Sequence, residues 1–296
     1  MKRLFITACI LCICFYSTAQ NAHSIIPKPA FISYPHSSEP FVLDNKQTIF
    51  YSASFKDQAG YLKEAIQKQT GIELGTREAA DIKNKSTTGI YLIPIVTSNN
   101  TPEQYELNIS KQNIDILFHD LRGLVNGIQS LLQLMPIGQL NAAKISPIHI
   151  EDQPRFAYRG MHLDVVRHIF PVSYIKKYID YLAFHKFNTF HWHLTDDQGW
   201  RIEMNAYPKL NSIGSFRKET LIGHFKDSPA QYDGTSYGGF YTKAEIKEII
   251  QYASIRAITV IPEIDIPGHS RAAIAAYPEL STKPDTIWNV ATTWGM

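Results

Sequence analysis

Three short stretches of the sequence carry side chains that could do chemistry. They are residues 159–168, 191–201 and 263–269, and each combines carboxylates with histidines or arginines. Carboxylates and imidazoles transfer protons, and guanidinium groups hold polar ligands through several hydrogen bonds. One acidic residue after a strand is more often a turn former than a functional group. Three such groups, with Trp and Tyr residues between them, instead favour a functional pocket.

His191 and His193 raise the alternative of a metal site. They are two residues apart in a run of β-branched and aromatic residues, so a strand would place both imidazoles on one face. His269 and Asp265 could complete the ligands, which would predict a metal-dependent barrel hydrolase. The competing interpretation is that both histidines pack inside the protein. Barrel metallohydrolases carry such a pair on the first strand, and this pair is on the second, so we predict no metal and no cofactor.

The elements that would position these groups follow a β–α–β order. Strands are predicted at 158–165, 188–194 and 257–261, with helices at 172–186 and after a capping box at 242–245. Parallel strands joined by helices bring the residues that follow each strand to one edge, as at the catalytic face of a barrel. The predicted fold class is therefore α/β, a partial (β/α)8 TIM barrel preceded by a small α+β domain. A flavodoxin-like open sheet is the alternative, although no glycine-rich phosphate loop supports it.

Residues 21–150 are predicted to form the small N-terminal α+β domain. Residues 136–154 contain three prolines and a glycine and are predicted to be the boundary between two domains. The barrel domain is accordingly predicted to occupy 155–296. Within the first domain the predicted strands are 48–51, 89–96, 105–109 and 113–118, and the predicted helices are 58–70 and 123–134.

The N-terminus is predicted to be a secretory signal peptide, residues 1–19. Lys2 and Arg3 precede an apolar run over 4–16, and small residues at 17–19 fit a cleavage site. All three cysteines lie in that run, so cleavage would leave no disulfide and no cysteine-bound zinc. It would also leave 27 basic and 27 acidic residues, which predicts neither nucleic acid nor a membrane surface as a partner. The expected location is the periplasm or the exterior of the cell.

Four stretches, taken in order, resemble β-N-acetylhexosaminidases of glycoside hydrolase family 20. They read RGMHLDVVRH from residue 159, KFNTFHWHLTDDQGWR from 186, YGGFYT from 237 and IPEIDIPGH from 261. The resemblance runs from about residue 155 to 280. The segment before it resembles, less distinctively, the small N-terminal domain of that family.

The resemblance implies removal of terminal N-acetylhexosamine from glycans by substrate-assisted retaining hydrolysis. The 2-acetamido group of the substrate attacks its own anomeric carbon, so the family is an exception to the two-carboxylate scheme. By motif position, Asp196 and His269 would be catalytic residues, with Asp196 hydrogen-bonding His269 so that the pair orients the general acid. We favour Asp196 over Asp197 for this bond and place Asp197 among the substrate-binding residues. Arg159 would hold hydroxyls of the terminal sugar.

Three further residues are implied to bind substrate. Glu263 and Asp265 follow the third strand, but salt bridges to Arg159 or Arg201 would explain them equally well. Trp200 could stack on a sugar ring or could be a core residue. The substrate-binding set implied by the resemblance is thus completed by Glu263, Asp265 and Trp200.

The sequence departs from the family at the catalytic pair. In the family an acetamido-orienting Asp and the general-acid Glu are adjacent at the end of a later strand, and this sequence contains no Asp-Glu dipeptide. The 142 residues from Arg155 onward compare with about 250 for a whole barrel. We therefore expect a truncated chain that hydrolyses no glycoside by itself. A non-catalytic carbohydrate-binding protein is the alternative.

Overall fold

The computed structural model describes residues 25–35, 39–85, 87–96 and 101–293. The predicted signal peptide lies outside these residues. Within the described ranges, no helix combines the length and the apolar character needed to cross a membrane.

The first half of the chain forms a seven-stranded mixed sheet and a separate strand pair. Its strands are β1 (Phe31–Ser33), β2 (Phe41–Leu43), β3 (Thr48–Tyr51), β4 (Gly75–Glu78), β5 (Gly89–Pro94), β6 (Tyr105–Ile109), β7 (Asn113–Phe118), β8 (Ala143–Ile145) and β9 (Ile148–Asp152). The large sheet has the order β1-β9-β6-β7-β5-β3-β4, and β2 pairs with β8. Strands β4, β3, β5 and β7 run parallel, whereas β6 is antiparallel to both of its neighbours.

Two helices, α1 (Lys56–Thr70) and α2 (Leu121–Leu134), pack on the core of this sheet. The Asp120 carboxylate accepts the N–H of Gly123 at 2.8 Å, which caps the first turn of α2. Helix α1 ends at Gly71, whose φ of 79° is readily adopted only by residues without a Cβ. The buried stripe of α2 consists of Leu124, Ile128, Leu131 and Leu132.

The predicted hairpin is confirmed, and the stretch 136–154, predicted to be the domain boundary, contains two strands that the sequence did not reveal. Strands β6 and β7 pair from Tyr105↔Phe118 to Ile109↔Ile114. These two strands are β8 and β9, and β9 pairs with both β6 and β1. Ile148 and Ile150 are buried at alternate positions of β9, but the prolines on either side of this short strand hid its alternation.

The second half contains three parallel strands and several small hairpins. Its strands are β10 (Gly160–Asp164), β11 (Thr189–His193), β12 (Thr195–Asp196), β13 (Gly199–Trp200), β14 (Phe216–Arg217), β15 (Leu221–Ile222), β16 (Gln231–Tyr232), β17 (Tyr237–Gly238) and β18 (Thr259–Glu263). Its helices are α3 (Val172–Phe184), α4 (Lys209–Ser212), α5 (Lys243–Ile255) and α6 (Arg271–Ala276), with short 3-10 turns at Ala53–Phe55 and Pro278–Leu280 completing the fold.

The three parallel strands lie in the order β10-β11-β18. Helix α3 connects the first two strands and α5 precedes the third. The capping box predicted at the start of α5 is present, with Thr242 and Glu245 bonding each other's backbone N–H groups. Phe190 and Trp192 of β11 are buried with the apolar faces of both helices. This β–α–β arrangement confirms the predicted α/β class, although the described residues contain no closed barrel.

Strand β18 begins two residues later than predicted and is more exposed. Ala257 has a φ of 56° and Ile258 still donates to Ala253 at 3.0 Å, so the end of the helix extends into the predicted strand. The sequence predicted a strand buried on both faces, but Ile261 is 41% exposed. Because β18 has only β11 as a neighbour, the described residues leave one of its edges uncovered.

Candidate active site

The carboxyl ends of the three parallel strands lie side by side. Asp164, His193 and Glu263 are aligned across β10, β11 and β18. The segments that follow each strand therefore meet at one edge of the sheet, as the strand-end motifs predicted.

Asp196 is the centre of the hydrogen bonds at this edge. It lies in the β12–β13 hairpin just after β11, and its side chain is 1% exposed. One carboxylate oxygen, Oδ1, accepts from the backbone N–H of Asp197 at 2.6 Å and from Nδ1 of His269 at 3.0 Å. The other, Oδ2, lies 2.9 Å from Nε2 of His193 and 2.6 Å from Nη2 of Arg167. A buried carboxylate with this many donors is held as an anion.

The electrostatics of Asp196 follow from these partners. Burial raises the pKa of its carboxyl, but the bonds from His193, the Asp197 N–H and His269, with the charge of Arg167, outweigh burial and the net pKa is lowered. Asp196 therefore stays ionised at neutral pH and fixes the Nδ1–H tautomer of His269.

The predicted bond between Asp196 and His269 is present, and Asp197 is the poorer partner. Oδ2 of Asp197 lies 4.0 Å from Nδ1 of His269. The Asp197 carboxylate instead accepts the N–H of Arg271 at 3.0 Å, at the start of α6. The His269 side chain is 54% exposed, so the rest of its ring is open to a group placed above the edge.

The prediction that Arg159 converges with Asp196 and His269 is wrong. Arg159 precedes β10 and therefore lies at the opposite, amino-terminal end of the strands. Its guanidinium donates to the carbonyl oxygens of Lys186 and Phe156, each at 2.8 Å, and to the carboxylate of Glu103. It joins the second half of the chain to the first and does not face the strand-end site.

Arg167 is the arginine that the sequence motif places at the site. It follows β10 by three residues, and its guanidinium bonds Asp164 at 2.8 Å and Gln198 at 2.9 Å in addition to Asp196. Both arginines lie in one ten-residue motif. Which of them reaches the site depends on where the strand between them begins and ends. A strand rising about 3.3 Å per residue carries them to opposite edges.

Arg201 holds the loops around the site together through hydrogen bonds to their backbone. Its side chain is fully buried and donates to carbonyl oxygens of Val166, Ser215 and Gly239. Burial lowers the pKa of this guanidinium to about 10, so it remains charged at neutral pH. The proposed salt bridge from Glu263 or Asp265 to Arg159 or Arg201 is wrong, because both arginines are committed elsewhere.

Glu263 instead faces histidines. Its Oε2 atom lies 2.5 Å from Nε2 of His191, 3.0 Å from Nδ1 of His193 and 3.7 Å from Nε2 of His162. Burial raises the pKa of Glu263, but His193 and His191 outweigh burial and the net pKa is lowered. Asp265 is half-buried and its N–H donates to Oγ1 of Thr195 at 3.0 Å, which keeps it at the same edge.

Trp200 does not present a ring to a substrate. It is 7% exposed and packs with Leu210, Ala273 and Ala276. Its Nε1–H donates to the carbonyl oxygen of Ile202 at 2.8 Å. Its predicted role as a substrate-binding residue is therefore corrected to that of a core residue beneath α6.

Two groups of side chains among the described residues have the spacing of metal ligands. One is His162, His193 and Glu263, and the other is Asp196, Asp197 and His269. Neither group matches the ligand set that the sequence suggested, which was His191, His193, Asp265 and His269. His193 and His269 fall into different groups because Asp196 lies between them.

Comparisons with known proteins agree with these motifs. The model described as glycosyl hydrolase family 20, catalytic domain, matches residues 156–296, and the model for domain 2 of the same family matches 22–153. A β-hexosaminidase of Porphyromonas gingivalis is 38% identical over 98% of this chain and 38% of its own length. One from Vibrio furnissii is 49% identical over 59% of this chain and 28% of its own length. The chain thus spans well under half the length of these relatives.

Solved structures give the same result. The GH20 exo β-N-acetylglucosaminidase of Vibrio harveyi, solved with N-acetylglucosamine, is 34% identical with a TM-score of 0.73, over 88% of this chain and 38% of that one. The N-acetyl-β-hexosaminidase of Streptomyces plicatus, solved with thio-NAglucal, is 33% identical with a TM-score of 0.75, over 92% and 51%. Two family models that together cover nearly the whole chain, and likeness in both sequence and fold, show that it belongs to glycosyl hydrolase family 20.

Proposed function

We propose that this chain carries part of the active site of a β-N-acetylhexosaminidase that removes terminal N-acetylhexosamine from glycans. The observation that carries the proposal is the bond from His269 to the buried Asp196 carboxylate, beside Arg167, at the carboxyl ends of three parallel strands. The other strands of a TIM barrel would complete the site.

The Asp196–His269 pair suits a role behind a general acid. Because Asp196 accepts the Nδ1–H of His269, the Nε2 atom of the ring carries the lone pair and can hold the proton of a carboxylic acid. In substrate-assisted hydrolysis the acetamido oxygen of the sugar attacks C1, the C1–O bond to the leaving group breaks, and the leaving oxygen takes the acid's proton. Water then opens the oxazolinium ring with retention. The protein must therefore orient the acetamido group and supply one positioned proton.

Arg167 replaces Arg159 as the proposed contact for sugar hydroxyls. Of these two arginines only Arg167 lies at the strand-end site, where its side chain is 21% exposed. Its fork of donors is held in place by Asp164 and Asp196 and suits vicinal oxygens. Asp197, Asp265 and Glu263 stay near this edge as further candidates for substrate contact.

The test is release of nitrophenol from 4-nitrophenyl N-acetyl-β-D-glucosaminide. A complete polypeptide, in which this chain is followed by the rest of a family 20 barrel with its Asp-Glu pair, should turn over, and the 296-residue chain, which holds no Asp-Glu pair, should not. In the active polypeptide, Asp196→Asn should lower kcat by about 10²-fold, within the range of general acid catalysis, whereas Asp197→Asn should change it less. Sugar binding without turnover by the complete polypeptide would instead support a carbohydrate-binding protein.

We also propose that the chain is exported to the periplasm or the exterior. The support is Lys2 and Arg3 followed by the apolar run and small residues to Ala19. Expression with a C-terminal tag and N-terminal sequencing should find a product that begins at Gln20. A cytoplasmic product that retains Met1 would refute export.

A further inference from the structure

A second polar cluster lies on the face of the three parallel strands opposite helices α3 and α5, next to the site already described. It consists of His162 on β10, His191 and His193 on β11, and Glu263 on β18. His162 is aligned with His191, and His193 with Glu263, so each strand contributes to one compact group. The proposed hydrolysis uses none of the three imidazoles.

The three imidazoles converge on a single carboxylate oxygen. Oε2 of Glu263 lies 3.0 Å from Nδ1 of His193 and 3.7 Å from Nε2 of His162. A tetrahedral zinc ion with bonds of 2.0–2.2 Å would separate its ligand atoms by about 3.3 Å, which lies between these distances. The ligand atoms of His162, His193 and Glu263 all lie within 4.8 Å of one another.

Two of these atoms are buried without a hydrogen bond. Nδ1 of His193 and Oε2 of Glu263 face each other at 3.0 Å, and Nε2 of His191 lies 2.5 Å from the same oxygen, but these ion-pair contacts lack hydrogen-bond geometry and neither buried atom has another hydrogen-bond partner among the described residues. The His193 side chain is only 5% exposed. Buried polar atoms of this kind are rare because each one costs about 1–3 kcal/mol. A cation between the two atoms would satisfy both.

The surroundings of His193 and Glu263 match those of metal ligands. The Asp196 carboxylate lies 2.9 Å from Nε2 of His193, so when a metal ion displaces the other ring proton the Nδ1 lone pair is directed toward the space beside Glu263. A histidine that donates its other nitrogen to a carboxylate is the usual arrangement around zinc. His191, 2.5 Å from Glu263, would orient the carboxylate in the same way. His162 is 49% exposed, so a metal ion has a path to the cluster.

We propose that His162, His193 and Glu263 form a binding site for a divalent ion of the zinc class, with Asp196 and His191 orienting the ligands. The site ties β10, β11 and β18 together. Asp196 bonds both His193 and His269, so the metal site and the proposed active site have this carboxylate in common. The cluster of Asp196, Asp197 and His269 is the competing location, and it has no ligand in common with the proposed site.

The experiment titrates the chelator-stripped 296-residue chain with Co²⁺ near neutral pH and then displaces Co²⁺ with Zn²⁺. We expect one equivalent of Co²⁺ to bind with the intense visible absorption of a four-coordinate ion, and Zn²⁺ to raise the melting temperature. His162→Gln and Glu263→Gln should each weaken binding by at least tenfold, and Asp196→Asn should weaken it by about 10–100-fold, as for groups that orient a ligand. His269→Gln and the exposed His224→Gln are matched controls that should bind as the parent does.

Binding that is equal in the parent and Glu263→Gln, or absent from the parent, would overturn the site. Loss in His269→Gln with retention in His162→Gln would place the ion in the competing cluster and equally refute the proposal. A variant that fails to fold does not decide the matter, so the parent is also followed by long-range ¹H–¹⁵N spectra of its histidines. Zn²⁺ should shift Nδ1 of His193 and Nε2 of His162, and shifts confined to other histidines would contradict the assignment.

Discussion

Oδ1 of Asp196 lies 3.0 Å from Nδ1 of His269, a residue 73 positions later in the chain. This one bond joins the segment after β11 to the segment after β18. It exists because the two strands are parallel neighbours, so their carboxyl ends meet at one edge. Asp197, the next residue, faces the backbone N–H of Arg271 instead.

Asp196→Asn should destabilise the chain more than Asp197→Asn. Asparagine cannot carry the charge that His193, His269 and Arg167 contact, and hydrogen bonds to charged groups contribute about 1.5–3 kcal/mol. We expect a loss of about 2 kcal/mol in the free energy of unfolding by urea for Asp196→Asn, and about 0.5–1 kcal/mol for Asp197→Asn. Equal losses in the free energy of unfolding would show that the two carboxylates contribute equally to stability.

Arg159→Ala should lower stability without weakening sugar binding. It leaves the buried carboxylate of Glu103, which is 4% exposed, without its closest cation, and breaking a buried pair costs about 3–5 kcal/mol. Because Arg122 also contacts Glu103 at 3.3 Å, we expect a smaller loss, about 2–3 kcal/mol in the free energy of unfolding measured with urea.

The matched variant is Arg167→Ala, assayed for N-acetylglucosamine binding by NMR titration. It should lose binding, because Arg167 lies at the strand-end site, while Arg159→Ala should bind as the parent does. The opposite result would mean that the sugar site lies at the amino-terminal end of the strands.

Arg201→Lys should loosen the loops around the site. A lysine has three donors on one nitrogen and cannot reach Val166, Ser215 and Gly239 together, so buried carbonyl groups lose partners at about 1–3 kcal/mol each. Gly199→Ala should act in the same direction, because a Cβ there would collide with the Arg201 guanidinium. Hydrogen exchange should rise in the segments around residues 166, 215 and 239.

The exposed Arg155→Lys is the control for that prediction, and its effect should stay within about 0.5 kcal/mol. If Arg201→Lys unfolds at the same urea concentration as Arg155→Lys, the buried guanidinium does not hold the loops.

Tyr241→Phe should reduce the sensitivity of stability to alkaline pH. Burial raises the pKa of the Tyr241 hydroxyl, which donates to the carbonyl oxygen of Phe170 at 2.6 Å. Since the folded pKa is higher than the unfolded value of about 10, the stabilisation is complete below about pH 10 and is lost as pH rises further, at about 1.4 kcal/mol per pH unit.

Urea unfolding at about pH 8 and about pH 11 measures this difference. At the lower pH the free energy of unfolding of the parent should exceed that of Tyr241→Phe by about 1 kcal/mol, the contribution of one hydrogen bond. At the higher pH this difference should vanish or change sign. Tyr207→Phe, at a 55% exposed ring, is the control. A difference in the free energy of unfolding that widens as pH rises would contradict the predicted direction.

Local chemistry explains the parts of the fold that could be predicted. The hairpin over 105–118, the helix that ends at Gly71 and the capping box at Thr242 depend on residues within a few positions of one another. Strand β9 and the two-residue shift of β18 were missed because short strands flanked by prolines or by a helix end carry little periodic signal.

The sequence by itself determined which residue types the site would use and that Asp196, His269 and Glu263 follow strands of one parallel sheet. Only the tertiary structure decided that Arg167 and not Arg159 joins them, that Trp200 is core, and that three histidines surround Glu263. The physical reason is that strand bounds and register set which end and which face a side chain occupies. A shift of one or two residues along the chain changes the face or moves a side chain several ångströms toward the other edge.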